Sequence, residues 1–245
     1  MKKLSILIIF SLAMFAVLTA TGQSGKKGIS IQAGYQLKYL TPRSVNFIIG
    51  KYNSSVSLTR KMEEIKWANG FSAGLGYHSG RASFRLSGML FNAQTYAIGP
   101  DNNGQNFRRD VQLHGGVVSL GLNSELIKFY SEGGFNVGGS FDLTNFRTAT
   151  AQVAEASFDE NTALSQVSNA WMTSFTILAP FRFGFGPVVK LSIEPYYQIF
   201  FGRLNYRQLN QAVNGSSVPS NSPELLTEPD HAGINATLMI YLRRR

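Results

Sequence analysis

From residue 28 onward, apolar and polar residues alternate with a period of two. Over 28–40, Ile29, Ile31, Ala33, Tyr35, Leu37 and Tyr39 interleave with Ser30, Gln32, Gly34, Gln36 and Lys38 without a phase error. Successive strand side chains point to opposite faces, so this stretch reads as a strand with one greasy face and one polar face. The rhythm returns over 69–78, 81–94, 110–123, 126–141, 171–185, 188–202 and 230–242. In 188–202, Val189, Leu191, Ile193, Tyr197, Ile199 and Phe201 share one parity, and Lys190, Ser192, Glu194 and Gln198 the other. A tilted strand of roughly 9–11 residues crosses a bilayer. These stretches are long enough to do so.

The links between these segments are of two kinds. Ser79-Gly80, Ser124-Glu125 and Gly186-Pro187 read as tight turns, while 41–68, 95–109, 142–170 and 203–229 read as long polar loops. A hairpin extension is expected over 46–58 and a short helical turn over 152–157. Pairing His78 with Arg81 across the first turn sets Tyr77 beside Ala82, so the register closes without a slip. On 110–123 the apolar parity flips near Gly115-Gly116, which predicts a bulge with glycine at the extra residue. Pro180 and Pro195 predict further local bulges, because proline cannot donate to a ladder.

The ionisable residues decide which side faces what. Lys38, Arg85, Lys128, Glu132, Arg182, Lys190 and Glu194 all fall on the minor, polar parity. A Lys or Arg on a lipid face near the bilayer midplane costs roughly 2–4 kcal/mol, so a bilayer enforces that absence. A soluble carrier barrel reverses the pattern, with apolar residues inside. Short turns on one side and long loops on the other complete the expected architecture. It is an all-β, eight-stranded antiparallel transmembrane β-barrel, an up-and-down meander with the tight turns and both termini on the periplasmic side. A ring of that size has an interior just wide enough for side chains, so the lumen is expected to be plugged. Buried charges need partners, and a lumen network of Arg85, Arg182, Lys128 and Lys190 with Glu132 and Glu194 follows. Tyr39, Tyr96, Phe141, Trp171 and Phe201 are expected at the outer rim, and Tyr77, Phe129, Phe183 and Phe185 at the inner one.

Composition adds three points. Of 245 residues only 15% are charged, with 24 glycines, 18 Phe and 10 Tyr; soluble domains carry about a quarter charged residues. Zero cysteines exclude a disulfide framework and a thiolate metal site. Residues 1–22 read as a cleaved signal peptide: Lys2 and Lys3, an apolar run over 4–18, then Ala20-Thr21-Gly22. The mature barrel domain is then 23–245.

Signal peptide, strand rhythm and terminal strand together resemble the small eight-stranded outer-membrane barrels of OmpA and OmpX type. More specifically they resemble the PorT-like outer membrane beta-barrel proteins. The resemblance covers the whole mature chain and implies an outer-membrane location, as a monomer. It also implies recognition of the last strand, Ile234 to Leu242, by the barrel assembly machinery. This chain departs from the usual final aromatic, which is displaced to Tyr241 and followed by Arg243-Arg244-Arg245.

Candidate chemistry is sparse. His78, His114 and His231 lie far apart in the expected topology, whereas a metal needs ligands converging on one point. No Ser–His pairing suited to lipid-A modification stands out, and Gly133-Gly134 and Gly138-Gly139 lack the setting of a phosphate loop. The expectation is no catalysis, no cofactor and no nucleic-acid partner. The basic balance, +9 formally, suits anionic lipopolysaccharide better. Arg60, Lys61 and Lys66 in the first loop and Arg108 and Arg109 near the second are its candidate contacts, against the plain alternative of a solvated loop. The role expected is structural or surface-interacting through four loops. A lipid-A-modifying enzyme, a soluble periplasmic carrier of an apolar ligand and a secretion accessory protein stand as alternatives.

Overall fold

The computed structural model describes residues 27–40, 42–100, 104–130, 133–157, 163–215 and 222–244. The expected leader and Glu132 lie outside them. The first five strands are β1 (Lys27–Tyr39), β2 (Trp67–Ser79), β3 (Ala82–Pro100), β4 (Asn106–Tyr130) and β5 (Gly133–Ala154). They are followed by β6 (Ser165–Leu178), β7 (Phe181–Phe185), β8 (Val189–Phe200), β9 (Leu204–Asn205), β10 (Leu226–Thr227) and β11 (His231–Arg244). All pairings are antiparallel, and β11 pairs with both β8 and β1, so the sheet closes into a ring. Closure removes the unpaired edges that an open sheet leaves.

β6 and β7 lie end to end between the same neighbours, β5 and β8. The break falls at Ala179-Pro180, where proline has no N–H to give. The ladder is restitched there: Asn136 N–H donates to the Pro180 carbonyl at 2.8 Å, and Ala179 N–H to the Pro195 carbonyl at 2.9 Å. Pro195 itself sits within an unbroken β8, opposite Ile234.

The two parities separate cleanly. On β1 the polar set is buried, Ser30 at 0%, Gln36 at 2% and Lys38 at 1% exposed, while Ile29, Ile31, Tyr35, Leu37 and Tyr39 are exposed. The same holds for Leu86, Leu90 and Leu120 outside against Ser83, Ser119 and Ser140 inside. This is a water-soluble protein turned inside out. A soluble barrel carrying an apolar ligand needs the reverse arrangement.

The bulge expected at Gly115-Gly116 is absent. β4 runs through it in continuous register with β3 and β5. What flips is the filling of the ring: inward positions on β4 are polar at Ser119 and Asn123 but apolar at Val111, Leu113 and Val117. Gly115 serves close approach instead. A Cβ there would overlap the Asn145 carbonyl oxygen and come within 2.8 Å of the Phe91 ring. Nor is there a turn at Ser124-Glu125; β4 continues to Tyr130 and β5 starts at Gly133. The register instead shifts between Glu125 and Ile127, and Lys128 is exposed near the strand end, away from the lumen.

Among the described residues, the expected long loops hold strand and helix. The 95–109 loop shrinks because β3 reaches Pro100 and β4 begins at Asn106. Most of 142–170 is strand, with one helical turn at Glu155–Ser157. In place of a hairpin over 46–58 stands helix α1 (Arg43–Ser55), which buries Val45, Ile48, Ile49 and Tyr52. Those residues fall at helical spacing, one stripe facing the core. Two asparagines dock it: Asn46 bonds both the N–H and the carbonyl of Ile65, at 2.9 and 3.0 Å, and Asn53 does the same at Met62. The last expected loop holds α2 (Arg207–Asn214) and the β9–β10 ribbon. Asn214 donates to the Ile48 carbonyl at 3.2 Å, tying the two helices.

Candidate functional site

The ring has two ends, a turn side and a loop side, and its interior changes character between them. Toward the turns, Arg85 Nη1 lies 2.6 Å from Glu194 Oε2. Asn235 Nδ2 also donates to that oxygen at 3.2 Å, and passes the network to Thr237 at 2.8 Å. Arg182, 8% exposed, donates to Ser83 Oγ at 3.3 Å. Lys190 is equally buried, with its ammonium 5.6 Å from the Tyr241 ring centre. So Arg85, Arg182, Lys190 and Glu194 share the lumen. Lys128 does not.

A second carboxylate belongs to the lumen and escaped the sequence reading. Asp142 on β5 is 5% exposed. It accepts from Ser140 at 2.8 Å, Thr176 at 2.5 Å and Gln198 at 3.1 Å. Its signal was present: Ser140 and Asp142 extend the polar parity of β5 by one further step. Lys38, almost fully buried, sets its ammonium 4.3 Å from the Phe91 ring centre. A cavity of about 40 Å³ lies among Gln36, Arg85, Asp142, Glu194 and Gln198.

Toward the loops the filling turns apolar. Phe91, Ala93, Val111, Leu113 and Phe146 point inward and form one core with Ile48 and Ile49 of α1 and Leu209 and Val213 of α2. Phe146 stacks edge-on against Phe91, centroids 5.6 Å apart.

The outer wall shows a matching boundary. Cross-strand partners place Phe71, Leu90, Gly116, Asn145 and Trp171 in one outward row. The next outward row toward the loops is Asn69, Asn92, His114, Arg147 and Asn169. These five are polar, although the row runs on through Leu37 of β1 and Ile234 of β11, whereas Leu86, Leu120 and Phe141, two rows on the turn side of Leu90, are bare apolar wall. Phe141 therefore sits inside the belt and not at its rim, and Tyr96 stands beyond the polar row. Tyr39 and Trp67, packed edge to face at 4.8 Å, lie one row loopward of Asn69.

Beyond the polar row lies a cationic stack. The guanidinium carbons of Arg60 and Arg108 lie 4.0 and 3.8 Å from the centre of the Tyr96 ring. Arg60 also donates to the Tyr96 hydroxyl. Arg108 is held by Asp110, Nε and Nη2 each at 2.9 Å. Arg109 turns instead to the Ala212 carbonyl at 3.0 Å, and Lys66 pairs with Glu64 at 3.6 Å on the surface. Of the five candidate anion contacts, two converge. Beside Arg109, burial pushes the Tyr52 phenol up, partly offset by that guanidinium.

The histidines stay apart. His78 is buried against Ser30 Oγ at 2.9 Å, His231 bonds the Pro229 carbonyl at 3.0 Å, and His114 is on the outer wall. Among the described residues no three His, Cys, Asp or Glu side chains converge.

No family model matches the chain, and no curated protein does. Among solved structures, it is similar to Neisserial surface protein A, at 11% identity and TM-score 0.43, over 89% of this chain and 99% of that one. It is also similar to the N-terminal beta-barrel domain of Pseudomonas aeruginosa OprF, at 10% identity and TM-score 0.42, over 89% and 100%. A third is Ail, the attachment invasion locus protein of Yersinia pestis, at 12% identity and TM-score 0.38, over 91% and 100%.

Proposed function

We propose that this chain is an integral outer-membrane β-barrel of eight staves, β6 and β7 forming one, with a closed lumen and no catalysis of its own. The observation that carries this reading is the sidedness of the wall. On β11 the outward set Ile234, Leu238, Ile240 and Leu242 is exposed while Asn235, Thr237 and Met239 are buried. About eleven consecutive residues, rising roughly 3.3 Å each and tilted near 45°, give a band roughly 25 Å tall, the height of an outer-membrane belt. Water at such a wall is costly: about 25 cal/mol is lost for each Å² of apolar surface left wet.

The closed lumen follows from its filling, ions and hydroxyls toward the turns and a packed apolar core with α1 and α2 toward the loops. The role is then structural or surface-interacting. The loops face outward and the chain termini lie with the tight turns. Barrel assembly would engage Ile234 to Leu242. The Arg60–Tyr96–Arg108 stack, clear of the apolar belt on the loop side, suits the phosphates of lipopolysaccharide. The PorT-like resemblance adds a role as a secretion accessory, which the extracellular protein profile of a deletion strain reports.

Fractionation with external protease tests the reading. The protein should sediment with outer membranes and run as a heat-modifiable band on a semi-native gel. Protease added to intact cells should cut only in loop-side segments such as 56–66. Release of the folded protein into the soluble periplasm would overturn it. So would a steady conductance in planar bilayers for the closed lumen, or altered lipid A in a deletion strain for the absence of catalysis.

A further inference from the structure

The belt of the outer wall is not uniform. A groove of about 580 Å³ crosses β2 to β6, with Phe71 and Leu90 on one flank and Trp171 on the other. Its floor is open because two of the outward residues there, Gly88 and Gly116, have no side chain. A Cβ at Gly88 would meet nothing within 4 Å, and one at Gly116 would make only ordinary contacts, with a Leu90 methyl at 3.4 Å and the Met89 carbonyl oxygen at 3.5 Å. Phe71, Leu90 and Trp171 are 72%, 71% and 60% exposed, so the walls stand proud of a low floor.

The loop-side end of this groove carries one guanidinium, that of Arg147, beside the His114 ring. His114 and Arg147 are direct cross-strand partners in the row that is polar from β2 to β6 and bounds the belt there. Both line the groove. Arg147 Nε donates to Asn145 Oδ1 at 2.6 Å, and Asn145 Nδ2 to Asn169 Oδ1 at 2.5 Å, which fixes the guanidinium over the groove mouth. Among the described residues no carboxylate pairs with Arg147. An apolar trough that ends in an arginine at the belt boundary matches one kind of molecule in shape and charge. That molecule has an acyl chain below the boundary and a phosphate at it. Arginine's planar fork suits a phosphate in two-point contact.

The geometry points to a binding site for one phosphate-bearing anionic lipid, its acyl chain lying over Gly88 and Gly116 and its phosphate held by Arg147 and His114. This site rests on the membrane reading above, yet it is separate from the Arg60–Tyr96–Arg108 stack. Arg147 lies four residues turnward of Ala151, the β5 partner of Asp110 in the Tyr96 row. That is about 13 Å along the strand.

Native mass spectrometry of the full-length barrel in detergent micelles tests it, with phosphatidic acid as probe and diacylglycerol of the same chains as control. The wild type should retain one phosphatidic acid and bind diacylglycerol at least roughly tenfold more weakly, the loss of one charge-assisted contact. Arg147→Gln should remove that preference while leaving the heat-modifiable band unchanged. Gly116→Leu should weaken both lipids by filling the trough. Arg203→Gln, at an exposed residue paired with Glu228 at 3.6 Å, should change nothing. Equal binding of both lipids by the wild type, or wild-type phosphatidic acid binding by Arg147→Gln, overturns the site. Either result leaves the membrane assignment standing, because that fails only if the chain fractionates as a soluble protein.

Discussion

Met89 and Val117 divide the lumen. Turnward of them the strands enclose Arg85, Glu194, Ser140 and Asp142; loopward they enclose Phe91, Leu113, Phe146 and the inner faces of α1 and α2. The wall is continuous, so the contrast lies in what holds each filling. Ions and hydroxyls in a buried interior need named partners at fixed distances, and the strands supply them from opposite sides of the ring: Arg85 from β3, Glu194 from β8, Asn235 from β11. Apolar packing has no such direction, so inserted segments can contribute to it. The turnward half is a property of the ring. The loopward half is a small globular core assembled within it.

The largest expected effect breaks the directional half. Glu194→Ala leaves Arg85 buried without its anion and should cost about 3–5 kcal/mol, the range for breaking a buried pair. Urea unfolding in lipid vesicles measures it. The pairwise replacement Arg85→Met with Glu194→Leu should recover most of that loss, and a double variant as weak as the single would show that shape and not charge was lost. Next comes Ile48→Ala in α1, about 2–4 kcal/mol by the cavity it leaves. Its effect should stay local. Proteolysis within 43–66 should accelerate while the heat-modifiable band persists; loss of the band would mean that the two halves are one cooperative unit. Gly115→Ala, where the Phe91 ring and β5 crowd the backbone, should cost about 1–3 kcal/mol by overpacking. Lys66→Ala, which removes an exposed pair, should stay within about 0.5 kcal/mol.

The same division explains what could be read from the chain. Strands were legible wherever the outward parity is apolar and the inward parity polar, as on β1 and β11. Beyond the belt the signs invert: on β3 and β4 the outward residues become Asn92, Gln94, Gln112 and His114, and the inward ones Ala93, Val111 and Leu113. Alternation continues there, but a search for one sign mistakes it for a loop or for a slip at Gly115-Gly116. Asp142 was lost for the same reason, since the polar run that follows it looks like a link. Helix α1 was hidden by Asn46, Gly50 and Asn53, poor helix formers. Two of them are kept for their bonds to Ile65 and Met62, a tertiary demand that no local pattern displays. The cationic stack draws on residues from two distant links, and only the ring brings Arg60 to Arg108.

The alternation that builds the wall also governs how the chain travels before the wall exists. From residue 27 on, polar residues break every apolar run after a few positions, far short of the roughly 20 that a spanning helix needs, so no window of the string is oily enough to lodge in a bilayer as a helix. Its hydrophobicity is latent. It appears only on closure, when dispersed residues come to lie side by side around a cylinder. Such a polypeptide can be ferried through water extended, provided it is shielded from premature pairing, and after rolling up it has no route back.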